Sequence, residues 1–123
     1  MASCSTIPLF LLNRQYSEDG TITLKASGSC MYPTIAPNDR LTIESLPIQD
    51  IQIGDIAVFK YQGSLYCHRV VEKNSSIQQP FIVTTADRNK ASRDQPTFSE
   101  DFFGRVIKIQ RGSKEYPLSS AQT

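Results

Sequence analysis

The sequence predicts an all-β, mainly antiparallel protein with few or no helices. Apolar residues alternate with polar ones, or run together, over stretches of strand length. Residues that favour turns, such as glycine, proline and asparagine, separate these stretches. No segment of helical length keeps a 3.6-residue hydrophobic period. Several short strands at this spacing favour a compact sandwich or a partly closed barrel.

Strand-like segments follow one another along most of the chain. The apolar stretch 7–12 predicts a first strand or a segment that packs on the core. Residues 62–64, which contain Gly63, form a tight connection and predict a hairpin. Residues 87–95 are polar and predict a loop. The other predicted strands are residues 21–26, 40–44, 56–61, 65–71, 81–85 and 105–109.

Length and charge limit the class of protein. The chain has 123 residues, enough for one modest core. We expect one domain over residues 1–123, with its core at about residues 20–112 and a flexible tail over residues 113–123. Lys and Arg number 13 and Asp and Glu 12, with no basic block, so we expect no nucleic-acid partner. No apolar stretch approaches the roughly 20 residues of a transmembrane helix and no signal peptide is evident, so we expect a soluble, cytoplasmic protein without a membrane anchor.

Cysteine and histidine are few. The chain has three cysteines, Cys4, Cys30 and Cys67, with no CxxC pair, and one histidine, His68. So few ligands at these spacings argue against a zinc site, and we expect no metal and no cofactor. The odd number of cysteines also argues against a disulfide framework. We therefore expect three separate thiols in a reducing compartment.

A loop between two predicted strands holds a candidate nucleophile. Cys30 follows Gly28, which permits close approach of the backbone, and precedes Pro33, which stiffens the chain. A nucleophile needs a rigid, exposed position of this kind. Taken alone, a buried core cysteine is the commoner interpretation. Ser29 is a rival nucleophile, but its side chain would project the other way from an extended backbone, so we prefer Cys30.

His68 is the candidate base. Alternation places it on the same strand face as Tyr66 and places Cys67 on the opposite face, where a core role is expected. Most lone strand histidines are structural, but an imidazole can accept a thiol proton near neutral pH. Asp87 and Asp94 follow the next predicted strand, and either could accept the imidazole N–H and fix its tautomer. Loop aspartates more often serve turns and solvation.

Five segments, in this order, resemble the sequence boxes shared by signal peptidases and the self-cleaving SOS-type repressors. The first resembles their G-x-S-M-x-P-T box. The others resemble the G-D-[IV]-[VA]-V-F box, the box that bears the base, the G-D-x-N…D loop and the G-[RK]-V closing strand. The resemblance covers about residues 24–111, and five boxes in order are a specific signal. The segments are residues 28–35, 54–59, 67–71, 85–94 and 104–106.

This resemblance implies a mostly antiparallel β fold and peptidase activity. It places Cys30 at the position of the nucleophilic serine and His68 at the base position. Signal peptidases of the endoplasmic-reticulum and archaeal type have histidine there, whereas the bacterial enzymes and the repressors have lysine. Asp94 or Asp87 would be the acidic partner, with a slight preference for Asp94 because that carboxylate more often comes late in the loop. The residues expected to bind substrate or shape its site are Gly28, Ser29, Met31 and Pro33.

The chain departs from the family pattern at four points. Cys30 replaces serine, as a natural thiol nucleophile, an introduced substitution or a decayed site. Gly28 stands where many signal peptidases have a serine that binds the oxyanion, which leaves backbone N–H groups for this role. Ala86 replaces a glycine. We also expect this chain to lack the membrane anchor and the extra domain of the bacterial enzymes. A thiol nonetheless suits a histidine base, because Cys–His pairs hold the thiolate near pH 7.

Three functions are compatible with these residues. The leading hypothesis is a soluble endopeptidase whose extended peptide or protein substrate adds along a strand edge beside Cys30. The alternative is a member of the same family that binds peptides without cleaving them. A self-cleaving regulator carries less weight, because the residues before position 21 are too few for a helix-turn-helix domain.

Overall fold

The computed structural model describes residues 20–118 and, for the backbone alone, residues 5–8. Every strand pairing in these residues is antiparallel, which confirms the all-β prediction. Two 3₁₀ turns, Ile48–Asp50 and Ser99–Asp101, are the helical elements of this part of the chain. The strands are β1 (Ser5–Pro8), β2 (Thr21–Lys25), β3 (Arg40–Glu44), β4 (Ile56–Tyr61), β5 (Ser64–Asn74), β6 (Phe81–Ala86), β7 (Asn89–Arg93), β8 (Thr97–Phe98), β9 (Phe102–Arg111) and β10 (Lys114–Pro117).

These strands form one sheet with β5 near its middle. The order along the sheet is β2-β3-β9-β4-β5-β6-β7. Strand β1 pairs with β5, β8 with β6, and β10 with β9. Because β9 lies between β3 and β4, the late part of the sequence joins the hairpin β2–β3 to the hairpin β4–β5. The chain between β2 and β3 and the turn between β6 and β7 both reach the candidate site from this sheet.

Two hydrophobic clusters cover the two faces of β4 and β5. Ile56 and Val58 point into one cluster, and Ala57 and Phe59 point into the other. A strand packed on both faces has a continuous apolar run, as β4 has. The first cluster contains Ile22, Leu24, Ala26, Met31, Ile35, Leu41, Ile43, Ile56, Val58, Leu65, Cys67, Val106 and Ile109. The second contains Ile48, Ile51, Ala57, Phe59, Tyr66, Val70 and Ile82.

Several predicted strand ends shift by one to three residues, and three predicted segments differ more substantially from the structure. The predicted loop 87–95 contains β7, and the predicted flexible tail contains β10. Every side chain of these two strands is exposed, so neither has the apolar alternation that marks a half-buried strand. The predicted first strand 7–12 corresponds to β1, which ends at Pro8, and residues 9–12 lie outside the described residues. Residues 119–123 of the predicted tail also lie outside them.

The described residues include no helix long and apolar enough to cross a membrane.

The first cluster is expected to dominate stability. Leu41 is fully buried in it and faces Leu24 across the β2–β3 pairing. Leu41→Ala should lower the free energy of unfolding by about 2–5 kcal/mol, because it removes apolar contacts and leaves a cavity. Urea unfolding followed by circular dichroism measures this loss. Lys25→Ala, at an exposed position of β2, is the control and should change stability by less than about 0.5 kcal/mol. Equal effects of the two substitutions would contradict the assignment of the core.

Candidate active site

The loop between β2 and β3 carries Cys30, and backbone hydrogen bonds join the two ends of this loop. The N–H of Ala26 donates to the carbonyl of Asp39 and the N–H of Asn38 donates to that of Ala26, both at 2.8 Å. Gly28 has φ +81°, in the left-handed region that favours glycine. Met31 and Ile35 are buried in the first cluster and anchor the loop from below.

An ion pair from β9 fixes the far end of this loop. Arg111 donates through Nε to Oδ1 of Asp39 at 2.9 Å and through Nη2 to Oδ2 at 2.8 Å. The same Nη2 also donates to the carbonyls of Pro33 and Thr34. Burial alone would raise the pKa of Asp39, but the hydrogen bonds from Arg111 and from the Ala36 N–H outweigh it and lower that pKa. Asp39 is therefore held as a carboxylate inside the loop.

His68 is fully buried on β5 and points into the second cluster. Its ring packs edge-on against Phe59 and Tyr66, at centroid distances of 5.8 and 6.0 Å. Nδ1 lies 2.5 Å from Oδ2 of Asp94. The hydroxyl of Thr84 donates to the same oxygen at 2.6 Å, and the Asp94 N–H donates to the Thr84 carbonyl at 2.8 Å. With Asp94 ionised, Nδ1 carries the proton and the imidazole is held in one orientation.

The second ring nitrogen of His68, Nε2, differs from Nδ1 in its hydrogen bonding. Nε2 is buried and has no hydrogen-bond partner among the described residues. Buried polar atoms in proteins nearly always have a partner, so an atom without one requires an explanation. A neutral imidazole that donates at Nδ1 has an acceptor lone pair at Nε2. The structure thus presents a proton acceptor inside the second cluster.

Cys30 lies on the same side of the sheet as His68. It is half-buried and packs against the second cluster, which includes the Phe59 and Tyr66 rings that contact His68. Cys67 is buried in the first cluster, which confirms that neighbouring positions 67 and 68 face opposite sides. The predicted nucleophile and the predicted base therefore share one cluster.

One expectation from the sequence is wrong. Cys30 is disulfide-bonded, whereas three separate thiols were expected. Cys67, the other described cysteine, is not disulfide-bonded. Spacing cannot show this bond, because a disulfide depends on the distance between two residues in the fold.

Asp87 stabilises the loop and does not contact His68. Arg69 donates to both of its oxygens, through Nε at 2.9 Å and through Nη2 at 2.6 Å, and the Thr34 hydroxyl donates to Oδ2 at 2.9 Å. Burial alone would raise the pKa of Asp87. The hydrogen bonds from Arg69 and Thr34, with the charges of Arg69 and Lys90, outweigh burial and lower that pKa. Of the two predicted acidic partners, the structure thus brings Asp94 to the imidazole.

The turn after β6 also contacts the nucleophile loop directly. The Arg88 N–H donates to the carbonyl of Cys30 at 2.9 Å, and the Arg88 guanidinium donates to Oγ of Ser29 at 3.2 Å. The Asp87 N–H donates to the sulfur of Met31 at 3.3 Å. These contacts join Cys30 and its two chain neighbours to the turn that follows β6. Asp94, which binds the imidazole, follows this turn and β7 in the chain. One segment of the chain thus contacts both the nucleophile loop and His68.

The four residues predicted at the substrate site occupy different environments. Gly28 and Ser29 are half-buried beside Cys30. Pro33 is exposed and its carbonyl accepts the bond from Arg111. Met31 is buried in the first cluster, so it packs the loop against the hydrophobic core and is not available to a substrate.

Sequence reasoning did not identify Thr84, Arg69 or Arg111 as parts of the site. Thr84 offered one signal, because a fully buried threonine inside an apolar strand needs a hydrogen-bond partner. Arg69 and Arg111 resemble ordinary surface arginines in the sequence, and only the fold shows their carboxylate partners. No group of three or more potential metal ligands occurs in the part of the chain that the structure describes.

A model of the family described as Peptidase S24-like matches residues 6–79. The matched region includes Cys30 and His68 and ends before Asp87 and Asp94. No curated protein and no solved structure matches the sequence.

The Asp87–Arg69 pair predicts an acid-dependent loss of stability. A carboxylate whose pKa is lowered in the folded state stabilises the fold above its unfolded pKa of about 3.9, and this contribution is lost as pH falls through the lower folded value. At pH 7, Asp87→Asn should cost about 1–3 kcal/mol, because half-buried Arg69 loses a charged partner. The difference between wild type and variant should shrink below pH 4.

Urea unfolding of both proteins at pH 7, 5 and 3 measures this difference. Asp101→Asn removes an exposed carboxylate and is the matched control, with an expected effect within about 0.5 kcal/mol at each pH. A cost for Asp87→Asn that is constant from pH 7 to pH 3 would show that the ionised pair is not its source.

Proposed function

Because the chain belongs to the Peptidase S24-like family, we propose that it is a thiol peptidase that cleaves an extended peptide or protein chain. One observation carries the proposal. His68 is held at Nδ1 by Asp94, has a buried Nε2 to which no described residue hydrogen-bonds, and packs on Phe59 and Tyr66 of the second cluster, which Cys30 also contacts. A nucleophile, a base and a group that orients the base are the parts of a catalytic triad.

Each group has a defined role in the proposed reaction. The Cys30 thiol gives its proton to Nε2 of His68, and the sulfur bonds to the scissile carbonyl carbon. His68 then returns the proton to the leaving amine as the C–N bond breaks, which leaves a thioester on Cys30. Water attacks the thioester with His68 as base, and the carboxylate product and the thiol are released. Asp94 stabilises the imidazolium at both stages.

The oxyanion donors remain a prediction from the sequence. The residue at position 28 is glycine, so backbone N–H groups of the nucleophile loop are the proposed donors. The bonds from Arg88 and Arg111 to this loop support the proposal, because they fix the peptide plane that holds the Cys30 carbonyl and, later in the loop, those of Pro33 and Thr34. Donors fixed before the reaction need little reorganisation as charge develops.

An extended substrate agrees with the way the sheet accepts a strand beside the site. Strand β1 lies antiparallel to β5, with Ser5 opposite Tyr66 and Pro8 opposite Ser64. Strand β4 occupies the other side of β5, and β6 pairs with β5 from Arg69 onward, so β1 is a strand added to β5 beside residues 64–66. We propose that substrate segments bind by strand addition of this kind, which at this position would displace β1.

A peptide-binding protein without catalysis is the second candidate. The observation that favours it is the disulfide at Cys30, because a sulfur in a disulfide cannot act as the nucleophile. The two candidates differ in what reduction does. A reduced peptidase reacts with iodoacetamide at Cys30 faster than a free cysteine does and loses this advantage in His68→Ala. A binding protein shows neither property.

The central prediction concerns Cys30 and His68. With reduced protein and a library of peptides, Cys30→Ala and His68→Ala should each abolish cleavage, because the first removes the attacking atom and the second the base. Mass spectrometry of the peptides measures cleavage. Cys67→Ala, on the opposite face of the same strand, is the control and should keep most of the activity. Cleavage that persists in both Cys30→Ala and His68→Ala would rule out the mechanism.

Asp94 and Asp87 should affect the reaction differently. Asp94→Asn should lower kcat by about 10²–10⁴-fold, because the amide can no longer stabilise the imidazolium. Asp87→Asn should lower stability more than kcat, because Asp87 contacts Arg69 and Thr34 and not the base. Steady-state kinetics beside urea unfolding separates the two effects. The reverse result, with kcat lost in Asp87→Asn and kept in Asp94→Asn, would contradict the assignment of the acidic partner.

A further inference from the structure

The two-residue turn between β6 and β7 lies against the nucleophile loop. Asp87 and Arg88 form this turn. The Arg88 N–H donates to the carbonyl of Cys30 at 2.9 Å, and the guanidinium donates through Nη1 to Oγ of Ser29 at 3.2 Å. Ser29 is the chain neighbour of Cys30, and consecutive Cα atoms lie about 3.8 Å apart. A peptide that reaches Cys30 therefore passes within reach of the Arg88 guanidinium.

The charge of Arg88 has no carboxylate partner in the part of the chain that the structure describes. The ion pairs found there do not include it. The nearest carboxylates along the chain are occupied, because Asp87 accepts two hydrogen bonds from Arg69 and Asp94 accepts from the His68 imidazole. The Arg88 side chain is exposed, so its guanidinium faces solvent beside the loop.

A second cation adds to the positive charge at this turn. Lys90 is exposed on β7, and no ion pair between described residues includes it. Arg69 neutralises Asp87, so Arg88 and Lys90 leave an excess of positive charge next to the nucleophile loop. Such a patch attracts anionic groups and raises their local concentration.

The guanidinium is engaged only in part. Its bond to the Ser29 hydroxyl is at the long end of the normal range, and its Nε and Nη2 form no hydrogen bond to a described residue. The turn does not depend on this side chain for its position, because the backbone N–H of Arg88 makes the bond to Cys30. An arginine with two unoccupied donors on one edge can bind a carboxylate through two parallel N–H bonds.

We propose that Arg88 is a specificity residue that binds a carboxylate of the peptide held at Cys30. The inference rests on the proposed function for the position of the scissile bond, although a protein that only binds peptides would use the same contact. The Ser29 hydroxyl accepts from Nη1 and can donate its own proton to that carboxylate. The substrate class is a peptide with an Asp or Glu side chain, or its own C-terminal carboxylate, within about two residues of the scissile bond.

The test measures binding in a protein that cannot cleave. Cys30→Ala is titrated with fluorescent, amidated peptides in which each position in turn is Asp, Asn or Lys. At one position the Asp peptides should bind about 10-fold more tightly than their Asn counterparts, because a hydrogen bond to a charged group is lost with the amide. This preference should shrink at high salt, since the pair lies near the surface. Equal binding of the Asp and Asn peptides at every position would overturn the inference.

Variants made in the Cys30→Ala protein assign the preference to Arg88. Arg88→Gln keeps the backbone N–H that binds Cys30 and should lose the preference for Asp. Arg88→Glu should bind the Lys peptides best, a reversal that loss of folding cannot produce. Arg40→Gln makes the same change at an exposed arginine of β3 and should keep the wild-type preference. An Asp preference that survives in both Arg88 variants would also overturn the inference.

The two sources of the carboxylate are separated by the peptide terminus. The titration is repeated with the Asn peptides carrying a free C-terminal acid in place of the amide. An Arg88-dependent gain with the free acid identifies the terminal carboxylate as the ligand. A gain confined to the Asp peptides identifies the side chain, and either result supports the inference.

Cleavage by reduced wild type separates this inference from the proposed function. If binding depends on Arg88 but reduced wild type cleaves none of the peptides, the peptidase proposal fails and Arg88 selects ligands for a peptide-binding protein. If reduced wild type cleaves the Asp and Asn peptides with equal kcat/KM, and Arg88→Gln does the same, the peptidase proposal stands and the inference is wrong.

Discussion

The hydrogen bond between His68 Nδ1 and Asp94 determines what the candidate site can do. It occupies one imidazole nitrogen and leaves Nε2 as the atom that can exchange a proton. Asp94 is itself fixed, since Thr84 donates to it from the hydroxyl and accepts from its backbone N–H. The ring is fully buried among aromatic side chains, so water does not compete for this bond. A base held in one orientation, with one nitrogen left to accept a proton, is what general-base chemistry requires.

The position of the nucleophile depends on charged pairs at the borders of its loop. Arg111 holds Asp39 at one end, and Arg69 holds Asp87 beside the other. Both carboxylates have a lowered pKa because their arginine partners outweigh the effect of burial. These arginines come from β9 and β5, which are strands of the same sheet as His68. The sheet therefore fixes the position of the loop that carries Cys30.

The sequence predicts the buried strands well and the exposed ones poorly. The bounds of β3 and β4 agree with their apolar patterns, whereas β7 and β10 expose every side chain and so carry no pattern. Alternation separated Cys67 from His68 correctly. The contacts of the loop aspartates depend on long-range geometry, and spacing alone left both open as partners of the imidazole. The disulfide at Cys30 was missed for the same reason.

The most direct test of the Cys30–His68 pair uses the fact that the chain has one histidine. In protein labelled with ¹⁵N-histidine, NMR reports the two imidazole nitrogens of His68 without any assignment problem. Reduction is expected to move the Nε2 resonance, this change should be absent in Cys30→Ala, and the Nδ1 resonance should keep the signature of its bond to Asp94 throughout. Identical Nε2 resonances in oxidised wild type, reduced wild type and reduced Cys30→Ala would contradict this expectation, because the sulfur and the imidazole would then not interact.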